Sequence, residues 1–292
     1  MWTLSAPDIS STGDELRLAL TRADGTSIYA PTVAQLAALL EIYSQYDAKS
    51  GHPSSLLFGA SLGSDFLSVV YDAYGQVQQG GRLAALRERL KAEIPQCPYC
   101  GFGEIRELDH HLPRVSFRAL AIYPRNLIPC CSMCNNKKRA VVGDAPSGQF
   151  AHVYFEEIPP ARFLIASIDV SSEGIVPSFS IQRCAGMTDA VFDRLSFQFS
   201  RLELNRRYQA QVTTLLQSHR ISIEDAASAG GSALFQWLER ARTSMRAEFG
   251  LNDWRAALFD GLANSPAFYQ GGFRLGFRRR SAAPPPEVVS SQ

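Results

Sequence analysis

Two Cys-x-x-Cys pairs constrain the fold of this chain more than any other feature of its sequence: Cys97 with Cys100, and Cys131 with Cys134. Four thiolates presented as two tight turns suit a tetrahedral zinc ion, because each short spacer can point both sulfurs at one metal. The segment between the pairs buries little core of its own, so zinc binding would stabilise its folding directly. The spacing therefore predicts a structural Zn²⁺ site, with a redox dithiol or ordinary buried thiols as alternatives.

Cys130 competes for the fourth ligand position, because it lies next to Cys131 and also close to Cys134. Only Cys131 recreates the two-residue spacer that characterises such zinc-binding turns. We therefore predict that Cys131 is the ligand and that Cys130 is not.

A second group of residues lies between and just after the cysteine pairs, and it suits phosphodiester cleavage. That reaction needs a base to activate water and a cation to stabilise the departing oxygen. His110 can accept a proton near neutral pH. Asp109 offers a carboxylate and Asn135 an amide oxygen, and both are suitable ligands for a divalent ion.

The stretch Cys97–Arg139 contains Asp-His-His-x-Pro, Arg-Asn-Leu and Asn-Asn-Lys-Lys in that order. With its two cysteine pairs it resembles the zinc-stapled branch of the HNH, or ββα-metal, nuclease family. The resemblance implies a β-hairpin that carries Asp-His, followed by a helix that carries the last metal ligand. Leu108–Pro113 is the predicted first strand, and Asn135–Ala140 is the predicted start of the helix.

The resemblance also assigns roles to individual residues. The family's base lies three residues before a proline, so Pro113 makes His110 the base and Asp109 the metal ligand. Because residues alternate sides along a strand, His111 should point away from the metal, although Asp109 and His110 would too without a local bend. A shifted register, with His110 as ligand and His111 as base, therefore stays open.

Asn126 resembles the family's middle Asn, which holds the metal loop by backbone hydrogen bonds and orients the base; the alternative is a simple turn residue. Asn135 stands where the family name has a His, so the pattern is His-Asn-Asn. With Asp109 and Asn135 as its protein ligands, the ion should keep several waters. The predicted catalytic ion is therefore Mg²⁺ or Mn²⁺.

Positive charge is concentrated around these residues. Phosphate contacts supply most of the non-specific affinity for nucleic acid, although a run of charges can also be a solvated face. The predicted phosphate-binding residues are Arg114, Arg118, Arg125, Lys137, Lys138 and Arg139.

The whole chain is nearly neutral, with a formal net charge of +1. Proteins that coat nucleic acid indiscriminately are far more basic, so binding must depend on the local patch, a partner or the shape of the substrate. No apolar run is long enough to span a membrane, and the N-terminus lacks a signal-peptide core. Thiolate zinc ligands favour a reducing compartment. We expect a cytoplasmic protein without membrane contact.

The predicted fold class is α+β, with a small ββα-metal zinc module embedded between mostly helical regions. Residues 1–92 form a mostly helical N-terminal region, residues 93–145 the zinc module, residues 146–280 a strand-then-helix region, and residues 281–292 a disordered tail rich in Pro and Ser. The N-terminal region should pack on the zinc module.

Local patterns predict individual elements within this arrangement. The alternation in Glu15–Leu20 indicates a strand that returns as a hairpin near Ser27. Thr32 and Gln35 form a capping box that begins a helix. Three further strands are predicted: His152–Phe155, Phe163–Val170 and Val176–Ile181.

The predicted function is that of a metal-dependent HNH endonuclease acting on double-stranded DNA. The resemblance implies a setting in bacterial restriction or anti-phage defence, in some members beside an ATPase partner, and a homodimer would allow cleavage of both strands. The alternatives are a non-catalytic zinc module that binds DNA or protein, a nuclease specific for RNA, and a secreted toxin. The last is disfavoured by the neutral charge and the lack of an export signal.

Overall fold

A computed structural model describes residues 3–92 and 94–277 of the chain. Helices and two small sheets make up these residues, which confirms the predicted α+β class. The tail predicted for 281–292 lies outside the described residues. The chain divides into two compact units: Met1–Phe163 with Ile181–Leu204, and Leu164–Ser180 with Asn205–Gln292.

The first unit carries the predicted site. Its described helices and strands are α1 (Thr12–Ala19), α2 (Val33–Ala48), α3 (Ser64–Ala73), α4 (Ala84–Lys91), β1 (Glu107–His110), β2 (Leu127–Cys130), α5 (Ser132–Lys138) and α6 (Asp189–Arg201). The predicted order of strand, strand and helix after the first cysteine pair is thus present as β1, β2 and α5.

β1 and β2 pair in antiparallel fashion, with Glu107 opposite Cys130 and His110 opposite Leu127. β1 ends earlier than the predicted Leu108–Pro113, because the backbone of Leu112 bonds to a side chain instead of to β2. α5 begins three residues before Asn135, since the sulfur of Cys131 caps its N-terminus. These differences leave the ββα order intact.

The N-terminal helices pack on this ββα unit. Fully or almost fully buried side chains from α2, α3, α4, β1 and β2 belong to one hydrophobic cluster, which includes Leu39, Phe66, Leu86, Leu108 and Leu127. Burial of one such side chain contributes about 1.5–3 kcal/mol to folding. α3 also contacts the turn Arg118–Leu120 in the connection between β1 and β2. This packing brings α3 to the predicted site.

Two predicted elements near the N-terminus have different outcomes. The capping box at α2 is confirmed, because Thr32 and Gln35 exchange side-chain and backbone hydrogen bonds in both directions. The strand predicted for Glu15–Leu20 is wrong, because these residues belong to α1 and its C-terminus. Buried Leu16 and Leu20 lie four residues apart on one helical face, so the apparent alternation matched a helix equally well.

The strand predicted for His152–Phe155 is also wrong. The carbonyl of His152 accepts the backbone N–H groups of Phe155 and Glu156, which makes this segment a turn. The backbone groups that a strand would have used for pairing are therefore bonded locally.

The second unit consists of one β-hairpin and a set of helices. Its described elements are β3 (Leu164–Ser171), β4 (Gly174–Ile181), α7 (Leu204–Ser218), α8 (Arg220–Ser228), α9 (Gly231–Phe249), α10 (Trp254–Ala263) and α11 (Pro266–Tyr269). β3 pairs with β4, which confirms the strands predicted for Phe163–Val170 and Val176–Ile181. α10 packs against β3 so closely that a Cβ at Gly261 would lie 2.6 Å from the carbonyl oxygen of Ala166.

Candidate zinc cluster and active-site cavity

The sulfur atoms of Cys97, Cys100, Cys131 and Cys134 form the cluster that the spacing predicts. All four lie within 4.8 Å of one another, and all four residues are buried. The sulfurs of Cys100 and Cys131 are 3.9 Å apart. Tetrahedral zinc with Zn–S bonds of about 2.3 Å needs sulfurs about 3.8 Å apart. The geometry is therefore compatible with a structural zinc ion, and Cys130 lies outside the cluster.

Local backbone turns direct these sulfurs to one point. The carbonyl of Cys97 accepts the backbone N–H of Gly101 at 2.8 Å, which closes the first turn. The sulfur of Cys131 accepts the backbone N–H of Cys134 at 3.4 Å and so caps α5. Gly103 leaves room for the second pair, because a Cβ there would lie 2.7 Å from the Cys131 sulfur.

The residues predicted for catalysis line one cavity, which has a volume of about 270 Å³. Asp109 and His110 reach it from β1, and Asn135 reaches it from α5. Arg114 and Arg139, two of the predicted phosphate-binding residues, line the same cavity. The structure thus brings the predicted base, the two predicted metal ligands and two cations to one place.

The ring of His110 is held in one orientation. Its Nε2 lies 2.9 Å from the carbonyl oxygen of Ala121, an atom that can only accept. Nε2 therefore carries the proton, and Nδ1 is the basic nitrogen. Burial lowers the pKa of His110 to about 3, so the imidazole is neutral at physiological pH. The ring of Tyr74 packs edge-on against it, with the centroids 4.4 Å apart.

His111 has a different environment from its neighbour. It is 7 % exposed, and its ring centroid lies 4.1 Å from that of His152. Burial lowers the pKa of His111 well below its usual range. His110 lines the cavity and His111 does not, and the choice between the two registers stays a prediction.

His152 belongs to a buried hydrogen-bond chain rather than to the cavity. Its Nδ1 accepts the backbone N–H of Tyr154 at 3.1 Å, so Nε2 carries the proton and donates to the Tyr46 hydroxyl at 2.8 Å. That hydroxyl donates in turn to Oδ1 of Asn126 at 3.1 Å. Burial lowers the pKa of His152 to about 3. Through Tyr46 and Asn126, His152 therefore stabilises the connection between β1 and β2.

Asn126 is fully buried, and its side chain bonds to two backbone positions in the connection between β1 and β2. Its Oδ1 accepts the N–H of Leu112 at 2.8 Å, and its Nδ2 donates to the carbonyls of Leu112 and Leu120 at 3.0 and 3.2 Å. Leu120 precedes Ala121, whose carbonyl binds the ring of His110. The loop-holding role that the resemblance implies for Asn126 has this physical basis.

The surroundings of Lys138 differ from the phosphate-binding role predicted for it. It is 0 % exposed, and its ammonium lies 2.9 Å from Oδ2 and 3.2 Å from Oδ1 of Asp109. It also donates to the carbonyl of His110 at 2.7 Å. A phosphate cannot reach a cation enclosed in this way, so the predicted phosphate contact of Lys138 is wrong. Lys138 is the internal counter-ion of Asp109.

The other predicted cations also differ in their surroundings. Arg125 forms an ion pair with Asp47 at 2.5 Å and donates to the carbonyl of Pro7, and it does not line the cavity. Lys137 pairs with Glu203 at 2.5 Å. Arg118 is exposed beside α3, where its guanidinium carbon lies 5.7 Å from the ring centroid of Tyr71. Of the predicted patch, the cations that line the cavity are Arg114 and Arg139.

Asp109 and Asn135 fit a hard divalent cation, because they place one carboxylate and one amide on the same cavity. The carboxylate of Asp109 already accepts the hydroxyl of Tyr99 at 3.0 Å as well as the ammonium of Lys138. A carboxylate has about four acceptor positions, and these bonds already occupy most of them. Burial raises the pKa of Asp109, and the Lys138 ammonium opposes that shift.

Sequence reasoning missed three tyrosines of this site. Tyr71 reaches the cavity from α3 and Tyr74 from the residue that directly follows α3, and Tyr99 reaches Asp109 from within the first cysteine turn. Tyr99 could have been found from its position between Cys97 and Cys100. Nothing in the sequence marked Tyr74 as a site residue, because its spacing from Phe66 and Val70 is that of a core position on an amphipathic helix.

Comparison with known proteins finds similarity to protein ea31 of Escherichia phage lambda. The two chains are 24 % identical over 190 residues, which cover 60 % of this chain and 64 % of that protein. The chain therefore spans slightly less than two thirds of the length of this relative. No family model matches the chain, and no solved structure matches it. Among the described residues, no helix is long and apolar enough to cross a membrane.

Proposed function

We propose that the unit formed by β1, β2 and α5 is the active centre of a metal-dependent HNH endonuclease that hydrolyses phosphodiester bonds in DNA. The observation that carries this proposal is the meeting of Asp109, His110 and Asn135 on one cavity, with the ring of His110 oriented by Ala121. The zinc-binding geometry beside it supports the same proposal, since it fixes the start of α5 and hence Asn135.

In the proposed reaction, Nδ1 of His110 takes a proton from a water that attacks the phosphorus atom. The O3′–phosphorus bond breaks, which leaves a 3′-hydroxyl and a 5′-phosphate. Asp109 and Asn135 would hold an Mg²⁺ or Mn²⁺ ion, which supplies charge stabilisation at the departing oxygen. Arg114 and Arg139 would bind the neighbouring phosphates from the cavity wall.

The near-neutral net charge supports a nuclease whose DNA binding is local, regulated or assisted by a partner. Restriction or anti-phage defence, and an ATPase partner, are proposed from the HNH resemblance alone. The cleavage assay below can be repeated with RNA and single-stranded DNA, which tests the choice of DNA as substrate.

Cleavage of supercoiled plasmid by purified protein with Mg²⁺ or Mn²⁺ tests the proposal. Wild type should give nicked or linear DNA, and His110→Ala should give none while it keeps its zinc and its circular dichroism spectrum. His111→Gln is the matched control, since it alters the adjacent histidine outside the cavity and should retain cleavage. Equal cleavage by wild type and His110→Ala would exclude His110 as the base. Loss of cleavage in His111→Gln alone would support the shifted register.

One observation favours a second candidate, a zinc module that binds DNA or protein without cleaving it. Both carboxylate oxygens of Asp109 already accept hydrogen bonds, from Tyr99 and from Lys138. Titration with Mn²⁺, followed by electron paramagnetic resonance, separates the two candidates. A nuclease should bind Mn²⁺ in wild type and lose it in Asp109→Asn, whereas a binding module should show no such site and no cleavage.

A further inference from the structure

Arg114 is held between two tyrosines at the C-terminal end of α3, Tyr71 in its last turn and Tyr74 directly after it. Its guanidinium carbon lies 4.4 Å from the ring centroid of Tyr71 and 4.9 Å from that of Tyr74. Its Nη1 donates to the carbonyl of Tyr71 at 3.2 Å. Arginine has many rotamers, and stacking of its planar head on aromatic rings removes much of that freedom. Arg114 is therefore arranged in advance at the cavity.

Tyr74 also contacts the predicted base. Its ring centroid lies 4.4 Å from that of His110 in an edge-on arrangement. Its hydroxyl donates to the carbonyl of Leu108 at 2.7 Å, which attaches the side chain to β1. One tyrosine from the N-terminal helical region thus touches both the base and a cavity cation.

We propose that Tyr74 is a positioning residue that holds His110 and Arg114 in one arrangement, and that Tyr71 and Tyr74 make α3 part of the surface that binds a DNA phosphate. This inference rests on the proposed nuclease function of the same cavity. Tyr71 contacts Arg114 and Arg118, so its contribution is to phosphate binding. Tyr74 contributes to phosphate binding and to the orientation of the base.

The chemistry gives a reason for this arrangement. The attacking water must lie between a base and a phosphorus atom, so the phosphate and the imidazole need a fixed separation. A misplacement of about 1 Å can reduce the rate by about 10²-fold. The ring of Tyr74 occupies the space beside both groups, and a smaller aliphatic side chain would leave each of them free to move.

Steady-state cleavage by four variants tests the assignment. Tyr74→Leu should lower kcat by about 10²-fold and also raise KM. Tyr71→Leu should raise KM and leave kcat close to that of wild type. Tyr74→Phe keeps the ring and should recover most of the kcat lost in Tyr74→Leu. Tyr29→Leu is the matched control, because Tyr29 stacks on Phe66 of α3 outside the cavity and should affect neither constant.

A second measurement does not depend on cleavage. Affinity for a short labelled DNA duplex, measured in EDTA over a range of salt concentrations, reports the number of phosphate contacts. Arg114→Gln should reduce the slope of log K against log salt concentration by about 0.9, the value for one lost contact. Tyr74→Leu and Tyr71→Leu should give slopes between those of wild type and Arg114→Gln. Zinc content and melting temperature identify any variant that fails to fold.

The outcomes separate this inference from the proposed function. If Tyr74→Phe were as impaired as Tyr74→Leu, the hydroxyl bond to Leu108 would be the important contact and the positioning role would be overturned. A kcat unchanged in a folded Tyr74→Leu would overturn it too. If wild type failed to cleave DNA, the nuclease proposal would fail, and a salt slope identical in wild type, Tyr74→Leu and Arg114→Gln would then overturn the phosphate-binding surface as well.

Discussion

The cysteine cluster and the candidate active-site cavity both belong to the ββα unit, yet they are built from different parts of the chain. Every zinc-ligand candidate comes from the two Cys-x-x-Cys turns. The cavity takes Asp109, His110 and Asn135 from the same stretch, but it also takes Tyr71 from α3 and Tyr74 from the position directly after α3. A closed metal site can thus be specified by local spacing, whereas an open cavity needs walls that tertiary packing supplies.

The two sites also differ in how their charge is balanced. The cysteine cluster groups four side chains of one kind, whose negative charge a metal ion would offset. The cavity contains a buried carboxylate that the chain neutralises itself, through Lys138. Changes to the cluster should therefore unfold the whole ββα unit, and changes to the cavity should leave zinc in place.

The largest effect should follow the loss of one zinc ligand. Cys97→Ser should lose zinc and precipitate or unfold, because zinc binding in small zinc modules is worth about 10–16 kcal/mol of folding free energy. Zinc content by mass spectrometry and far-ultraviolet circular dichroism measure this outcome. Cys130→Ser is the matched control, since Cys130 is buried outside the cluster, and it should retain one zinc per chain. Loss of zinc in Cys130→Ser instead would identify Cys130 as the ligand.

A smaller effect is expected at the buried ion pair. Lys138→Met leaves the carboxylate of Asp109 without its counter-ion and should lower the free energy of unfolding by about 3–5 kcal/mol. Urea denaturation measures this change, and zinc content should stay at the wild-type level. Lys137→Gln removes the neighbouring, more exposed pair with Glu203 and should cost about 0–1 kcal/mol. Equal costs for the two variants would contradict the internal role of Lys138.

The smallest effect concerns His152, which is buried and is linked through Tyr46 to Asn126. Burial lowers the pKa of His152 to about 3, against about 6.5 in an unfolded chain. Between these values the unfolded state binds more protons, so stability falls as the pH drops below about 6.5. From pH 7 to pH 5, His152 should account for a loss of about 2 kcal/mol.

Comparison of wild type with His152→Gln isolates this contribution, because proton competition at the zinc ligands is common to both proteins. Urea denaturation at pH 7 and pH 5 should show a smaller loss in His152→Gln. The same loss in both proteins would mean that other groups, such as His110, His111 or the cysteine cluster, and not His152, dominate the response to acid.

Much of the site was predictable because its chemistry is local in sequence. The cysteine spacing identified the cluster, and the distance from Pro113 identified His110, whose ring lines the cavity. The role of Lys138 was predicted wrongly because its sequence neighbours Lys137 and Arg139 are also charged and are not buried. Its position on the inner face of α5 became clear only from the packing of α5 against β1.

The fold was predictable to a similar degree. The capping box at Thr32 and the β3–β4 hairpin each carried a strong local signal. Glu15–Leu20 did not, because a short alternating run satisfies a strand and a helix alike, and the burial of Leu16 and Leu20 in the hydrophobic cluster decided for the helix. Tyr74 could not be assigned from sequence, since its contact with His110 joins residues from separate elements.

Arg139 lies at the C-terminus of α5 with a φ of 54°, in the left-handed region that favours glycine. For a residue with a Cβ, this sparsely populated conformation costs about 1–3 kcal/mol. The position therefore gives up stability to keep a guanidinium at the cavity, where a glycine would be the more stable choice. Under the proposed nuclease function, Arg139→Gly should raise the melting temperature and lower DNA cleavage. The end of α5 is, on that proposal, a position at which stability and activity conflict.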